Sequence, residues 1–312
     1  MLLACRLTSA DPVYAYCQFH GRISRIDGDT KMSSPIAQPD IVSCLAVDPD
    51  GNIYVAEVKE SQNNQTYLQK FPPSGKNPVL IATLGYGAYI AEHMTVDDKG
   101  NVYFLGSELQ GHQYLKVLHP DGSIKTLIAQ SSYHSIIYSD GYLYACATSG
   151  GELDRISLDG KVSRFDKGGL TQAGNMGVGP NGVLYVTNIA FEHRRVQMID
   201  TNGTVSTFYE STKDPDWNDV WGIAVTNSGD VYVSAKDSQT LFKLTVIKNT
   251  VHAKKLFSGF GTYVALAAAH RSTPYWRTPS GSVLIVGVVI AGVLVLWRRR
   301  DAGKRDAGMR EK

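Results

Sequence analysis

The stretch Leu45-Ala46-Val47-Asp48-Pro49-Asp50-Gly51-Asn52-Ile53-Tyr54-Val55-Ala56 decides the fold. It reads as strand, tight turn, strand. Asp-Pro-Asp-Gly puts proline and glycine where a hairpin turn wants them. The second half of the phrase then returns. Gly100-Asn101-Val102-Tyr103-Phe104, Gly141-Tyr142-Leu143-Tyr144-Ala145, Gly182-Val183-Leu184-Tyr185-Val186 and Gly229-Asp230-Val231-Tyr232-Val233 follow, with glycines 49, 41, 41 and 47 residues apart. A period in the forties built from short strands and tight turns is the signature of a β-propeller with four strands per blade.

Working outward, residues 40–84 make a complete blade. Its inner strand lies near Cys44–Asp48, and Ile53–Val58, Thr66–Phe71 and Val79–Leu84 are the other three. Four more blades repeat this grammar, with inner strands beginning near His93, Ser135, Asn175 and Trp221. Val13-Tyr14-Ala15-Tyr16 repeats the apolar-Tyr-apolar phrase without its glycine, and His20–Asp27 alternates apolar and polar residues as a half-buried strand does. At the other end, Gly261–Ala267 reads as an inner strand with no partners after it. The two ends complement one another. The expected fold is all-β: six four-stranded antiparallel blades over residues 11–269, the sixth shared between the termini. Residues 1–10 read either as the remnant of a truncated signal peptide or, over Leu2–Leu7, as a first strand that would displace the 262–267 strand.

The blade phrases, Leu45–Ala56 and Ile223-Ala224-Val225-Thr226-Asn227-Ser228-Gly229-Asp230-Val231-Tyr232-Val233-Ser234, resemble the consensus of NHL-repeat six-bladed propellers. That resemblance speaks to fold. Such propellers serve as binding platforms, lyases and lactonases alike. In layout the repeat is also similar to the gluconolactonase and paraoxonase-like propellers.

After a linker, residues 270–281, comes Ser282–Trp297, sixteen residues without a charge. With Thr278–Gly281 it reaches the ~20 residues that a bilayer requires. Trp276 and Trp297 stand where interfacial aromatics belong, and Arg298-Arg299-Arg300 follows. This predicts a transmembrane α-helix over 282–297 and a cytoplasmic basic tail over 298–312. Seven Lys/Arg after the span, against Arg271 and Arg277 before it, predict a single-pass type I orientation with the propeller extracellular or lumenal. A tail-anchored protein with a cytosolic propeller is the alternative. Gly287 and Ala291 form a small-xxx-small step, a hint of helix pairing.

The net charge of +2 conceals an asymmetry: the tail carries +4 and the remainder −2. A mildly acidic body gives no reason to expect nucleic acid. Of the four cysteines, Cys17 and Cys44 would pair if the body is extracellular, or stand as small buried hydrophobes. Asn64-Gln65-Thr66 and Asn202-Gly203-Thr204 are N-glycosylation sequons. The segment Asp48–Asn52 begins like a calcium loop, but its glycine is misplaced and Lys59 stands at its twelfth position, so it is a turn.

Counting back seven to ten residues from each repeated glycine gives the mouth of the central channel: Ser43/Cys44, Glu92/His93, His134, Gly174/Asn175 and Asp219/Trp221, with Tyr263 sixth. The gluconolactonase resemblance implies a Ca²⁺-dependent lactonase or esterase. Glu92, Asn175 and Asp219 would hold the ion as hard oxygen ligands and His93 or His134 would act as base. Two further Asn of that pattern have no counterpart, and Ser43 and Trp221 occupy ligand positions. Gly21-Arg22-Ile23 resembles a phrase of the virginiamycin lyases, whose catalytic His pair has no placed counterpart. The leading expectation is a recognition platform for protein, peptide or glycan, using Glu92, His134, Asn175, Trp217, Asp219 and Trp221. In Asp214–Trp221 two tryptophans accompany three carboxylates, a composition suited to sugars or cationic peptides. The plainer reading makes Trp221 core and lets Trp217 cover the top of a blade.

Overall fold

A computed structural model describes residues 12–268, apart from 18–20, 27–31, 40, 60–61, 63–64, 85–88, 108–112, 148–150, 189–194, 236–237 and 259–263. All the described residues fall within one compact unit. The 1–10 segment and the apolar run at 282–297 lie outside the described residues. No helix among the described residues is long and apolar enough to cross a membrane.

The described strands form six four-stranded antiparallel sheets. Blade 1 holds β1 (Val13–Cys17), β2 (Arg22–Ile26) and β3 (Met32–Ala37). Blade 2 is β4 (Ile41–Val47), β5 (Ile53–Lys59), β6 (Gln65–Phe71) and β7 (Val79–Leu84). Blade 3 is β8 (Tyr89–Val96), β9 (Val102–Ser107), β10 (Gln113–Leu118) and β11 (Ile124–Ile128). Blade 4 is β12 (Tyr133–Ser139), β13 (Tyr142–Ala147), β14 (Leu153–Ser157) and β15 (Val162–Arg164). Blade 5 is β16 (Ala173–Val178), β17 (Leu184–Asn188), β18 (Arg195–Ile199) and β19 (Val205–Glu210). Blade 6 is β20 (Val220–Val225), β21 (Val231–Ala235), β22 (Thr240–Ile247) and β23 (Thr250–Ser258).

Strand β24 (Val264–Ala268) pairs antiparallel with β1, Cys17 opposite Val264 and Val13 opposite Ala268. The last strand is therefore the inner strand of blade 1. The ring closes between the two ends of the chain, as their complementary patterns predict.

The repeated glycine has a local cause. Gly51, Gly100, Gly141, Gly182 and Gly229 all hold φ between 74° and 87°, a region where a side chain is disfavoured. The turns around them are built by side chains. Asp48 Oδ1 accepts from the amides of Asp50 and Asn52, and Oδ2 from Asn52 Nδ2 and Tyr54 Oη. Asp97 repeats this with Lys99, Asn101 and Tyr103. In blades 2 and 3 the repeated tyrosine thus does two things: its ring is core and its hydroxyl ties down the turn six residues earlier.

The core is distributed between blades. Six apolar clusters each join one blade to the next. Tyr54, Phe104 and Tyr114 lie in the cluster between blades 2 and 3, and Tyr14 and Tyr16 in that between blades 1 and 2. Cys44 and Cys146 are buried in such clusters, and the side chain of Cys17 lies outside the described residues.

Candidate functional site

The six inner strands surround a central channel with a cavity of about 110 Å³. Its lining mixes Leu45, Ile136, Ile223 and Leu266, from four different inner strands, with the polar side chains of His93, Thr95, Tyr138 and Asn175.

The mouth is built by a repeated irregularity. In each of blades 2 to 6 the inner strand slips its register against the second strand: between Val42 and Cys44, Ile90 and Met94, Tyr133 and Ser135, Ala173 and Met176, and Val220 and Ile223. The residues inside these slips are Ser43, His93, His134, Asn175 and Trp221, among others. A bulge leaves its extra residue out of the ladder and re-aims its side chain, which is why such bulges recur at functional sites. The pairing of β24 with β1 has no such slip.

Bulging frees backbone groups, and second-strand hydroxyls take them up. Thr187 Oγ1 accepts from the Asn175 amide at 2.9 Å and donates to the Trp221 carbonyl at 3.0 Å, linking two inner strands. Ser234 Oγ accepts from the Gly222 amide at 3.0 Å. In blade 2 the direction is reversed: Ser43 Oγ, on the inner strand, donates to the second-strand Ala56 carbonyl at 3.3 Å. Thr187 and Ser234 each stand two residues after the repeated tyrosine, a position whose hydroxyl has a task only where the inner strand slips.

The slips on β8 and β12 bring His93 and His134 together, edge to face, with ring centroids 6.1 Å apart. Burial holds the His93 imidazole far below its ordinary range, at a pKa of about 3. The neighbouring His134 adds to the depression, and a hydrogen bond from Asn175 offsets it only in part. His93 is thus neutral at physiological pH. Its Nε2 is buried and makes no hydrogen bond among the described residues.

The loop before β20 differs from both sequence readings. Trp217 is fully buried, edge to face with Tyr209 at 4.8 Å and Phe242 at 5.1 Å, between blades 5 and 6. Its ring therefore offers no surface to a ligand. Trp221, expected as core under the plainer reading, is the half-buried one of the pair. Two of the loop carboxylates are engaged: Lys255 Nζ lies 3.0 Å from Asp214 and 2.6 Å from Asp216. These two carboxylates, Asp216 foremost, raise the Lys255 pKa. Asp219 adopts φ 40° immediately before the strand and is half-buried.

Of the proposed calcium ligands, Glu92 lies in β8 with its side chain outside the described residues, Asn175 lines the channel and Asp219 precedes β20. Among the described residues no three His, Cys, Asp or Glu side chains gather as a metal site. Asn202 is exposed in the turn between β18 and β19, as is Thr204, and Asn64 lies outside the described residues.

No protein-family model matches the chain, and no curated protein matches it. Solved structures do. A chain from a nidogen/laminin complex is similar with a TM-score of 0.63 at 14% identity, covering 84% of this chain and 99% of that one. A streptogramin B lyase gives 0.54 at 18% identity, covering 82% and 87%. A virginiamycin B lyase from Staphylococcus aureus gives 0.51 at 14% identity, covering 69% of each. At these identities the likeness is one of fold, the six-bladed propeller.

Proposed function

We propose that the protein is a single-pass, membrane-anchored recognition propeller whose contact surface is the bulged mouth of the channel, facing the extracellular or lumenal side. The observation that carries this is the chemistry of the mouth. Ser43, His93, His134, Asn175 and Trp221 are hydrogen-bonding or aromatic groups gathered at the slipped ends of the inner strands, around a channel of mixed polar and apolar lining. Such a surface suits a neutral polar ligand, a glycan or a peptide, with Trp221 as its aromatic contact. His93 is a poor general base, because a base works best when its pKa lies near the working pH and that of His93 is about 3. The similar propeller in a nidogen/laminin complex comes from an assembly of two proteins, which agrees with this reading.

The competing reading is the Ca²⁺-dependent lactonase or esterase with Glu92, Asn175 and Asp219 around the ion. One experiment separates the two. The full chain, displayed on cells, is probed with a glycan array and a peptide library, and in parallel assayed with aryl esters and lactones in Ca²⁺. Retention of a glycan or peptide, weakened at least tenfold by Trp221→Ala or Asn175→Ala, supports recognition. Ca²⁺-dependent turnover lost in Asp219→Ala overturns it in favour of the hydrolase. Glycosidase sensitivity at Asn202 checks that the propeller lies outside the cytosol.

A further inference from the structure

The six outer strands of the propeller each expose one edge, and an unpaired edge is a template for pairing with another strand. Five of the six carry a device against this. Strand β3 contains Pro35, which has no amide proton to donate. Strand β11 carries Lys125. Strand β15 is only three residues long and ends in Arg164. Strand β19 ends in Glu210, and its Phe208 and Tyr209 rings pack against Tyr185 and Trp217. Strand β23 bears His252, Lys254 and Lys255.

Strand β7 has no such charge, proline or shortness; it shares with β11, β19 and β23 only a one-residue bulge, at Ile81. Val79-Leu80-Ile81-Ala82-Thr83-Leu84 is six residues long, with no charge and no proline. Val79 and Leu80 are 60% and 56% exposed, the two highest values among the large exposed hydrophobics of the described residues. Beside them runs a hollow of about 490 Å³ between blades 2 and 3, walled by Val79, Leu80, Ile81, Leu118 and Pro120.

We propose that the β7 edge is the pairing surface for a second copy of this chain, two β7 strands joining antiparallel across a two-fold axis. Charge decides between occupants. Lys70 beside the hollow is held by Asp48 at 3.4 Å and lies over the Tyr54 ring, and Asp121 on the same wall offsets Lys99. The groove therefore has no net charge with which to select an acidic or a basic peptide. Its best complement is another uncharged apolar edge, and the two-fold arrangement presents an identical one. The surface is distinct from the channel mouth, and its failure would leave the recognition reading untouched.

The test uses the full chain in detergent micelles and in membranes. Sedimentation velocity is expected to give a dimer. The double variant Leu80→Lys/Thr83→Lys, which places charge on exposed edge positions, is expected to raise the dimer dissociation constant at least tenfold with an unchanged thermal midpoint. A cysteine scan over residues 79–84 is expected to give disulfide-linked dimers in membranes, strongest at one position near the two-fold axis. The proposal is overturned if the chain sediments as a monomer and the scan yields no cross-link. It is equally overturned if the dimer survives the charged variant but is lost in Gly287→Leu, which would assign pairing to the apolar segment alone.

Discussion

The two ends of the central channel are made from the same strands and differ in nearly every other respect. At the turn end, Asp48 and Asp97 each satisfy two backbone amides, an asparagine side chain and a tyrosine hydroxyl with one carboxylate. The same residues recur at the same offsets. At the mouth end, the inner strands slip register, the side chains inside the slips change from blade to blade (Ser43, His93, His134, Asn175, Trp221), and His93 keeps a buried nitrogen without a hydrogen bond among the described residues. Repetition, of the left-handed glycine in five blades and of the carboxylate turn in two, marks what blades share in folding. Departure from it, concentrated at one end, marks where the molecule is free to do something else.

The sharpest way to break this contrast is to damage the turn end. Asp97 is 2% exposed and accepts four hydrogen bonds. Asp97→Ala leaves two amides and a buried tyrosine hydroxyl unsatisfied, and is expected to cost about 3 kcal/mol in urea unfolding. Tyr103→Phe removes a single bond and is expected to cost about 1 kcal/mol. If Asp97→Ala were no worse than Ser43→Ala at the mouth, the division between a structural and a functional end would fall.

Blade 6 supplies a natural rearrangement of the turn. Thr226 stands where Asp48 does, and Asp230 where Asn52 does. Lys243 lies opposite Tyr232 as Lys70 lies opposite Tyr54, and reaches Asp230 at 2.9 Å. The carboxylate has moved along the turn while the lysine across the strand still meets it. Thr226→Asp alone places two carboxylates in one turn and is expected to cost about 1–2 kcal/mol. The double change Thr226→Asp/Asp230→Asn, which copies blade 2, is expected to recover most of that loss. Thermal unfolding of the two variants reads it directly; additive losses would show that the turns are not interchangeable.

At the mouth, the expected signature is a pH dependence. His93 is neutral in the folded protein with a pKa of about 3, against about 6.5 in an unfolded chain. As pH falls below 6.5 the unfolded chain takes up the proton first. Native stability is therefore complete above that value and is lost as pH falls toward 3, by up to about 1.4 kcal/mol per unit. His93→Gln, which has no charge to acquire, is expected to flatten the change in urea midpoint between pH 7 and pH 5. An unchanged slope would place the acid sensitivity elsewhere.

These differences explain what could be read in advance. The blade count, the hairpin turns and the closure between the chain ends follow from Gly51, Tyr54 and their copies, because every copy answers the same local requirement. The mouth positions Ser43, His134 and Asn175 could be located by counting back from those glycines. What they do there could not, since a register slip depends on hydrogen bonds from a neighbouring strand and on Thr187 and Ser234, which look like ordinary strand residues. The exchange of roles between Trp217 and Trp221 has a similar origin. The two stand four residues apart, and it is the packing of Tyr209 and Phe242, from two different strands, that buries the earlier one.

The smallest effect is expected at Thr187, and it tests whether the mouth is held by its own support. Its hydroxyl accepts from the Asn175 amide and donates to the Trp221 carbonyl, so it bridges two neighbouring inner strands at their bulges. Thr187→Val keeps the shape and removes both bonds, at an expected cost of about 1 kcal/mol. Thr187→Ser keeps the oxygen and is expected to stay close to the parent protein. The loss should be local: hydrogen exchange at the Asn175 amide is expected to quicken in Thr187→Val and not in Thr187→Ser, while the Asn101 amide at the turn end is unaffected in both. Equal exchange at Asn175 in the two variants would mean that strand pairing alone fixes the bulge. The mouth would then be as over-determined as the turns, and its departure from repetition would be tolerated by the fold without being supported by it.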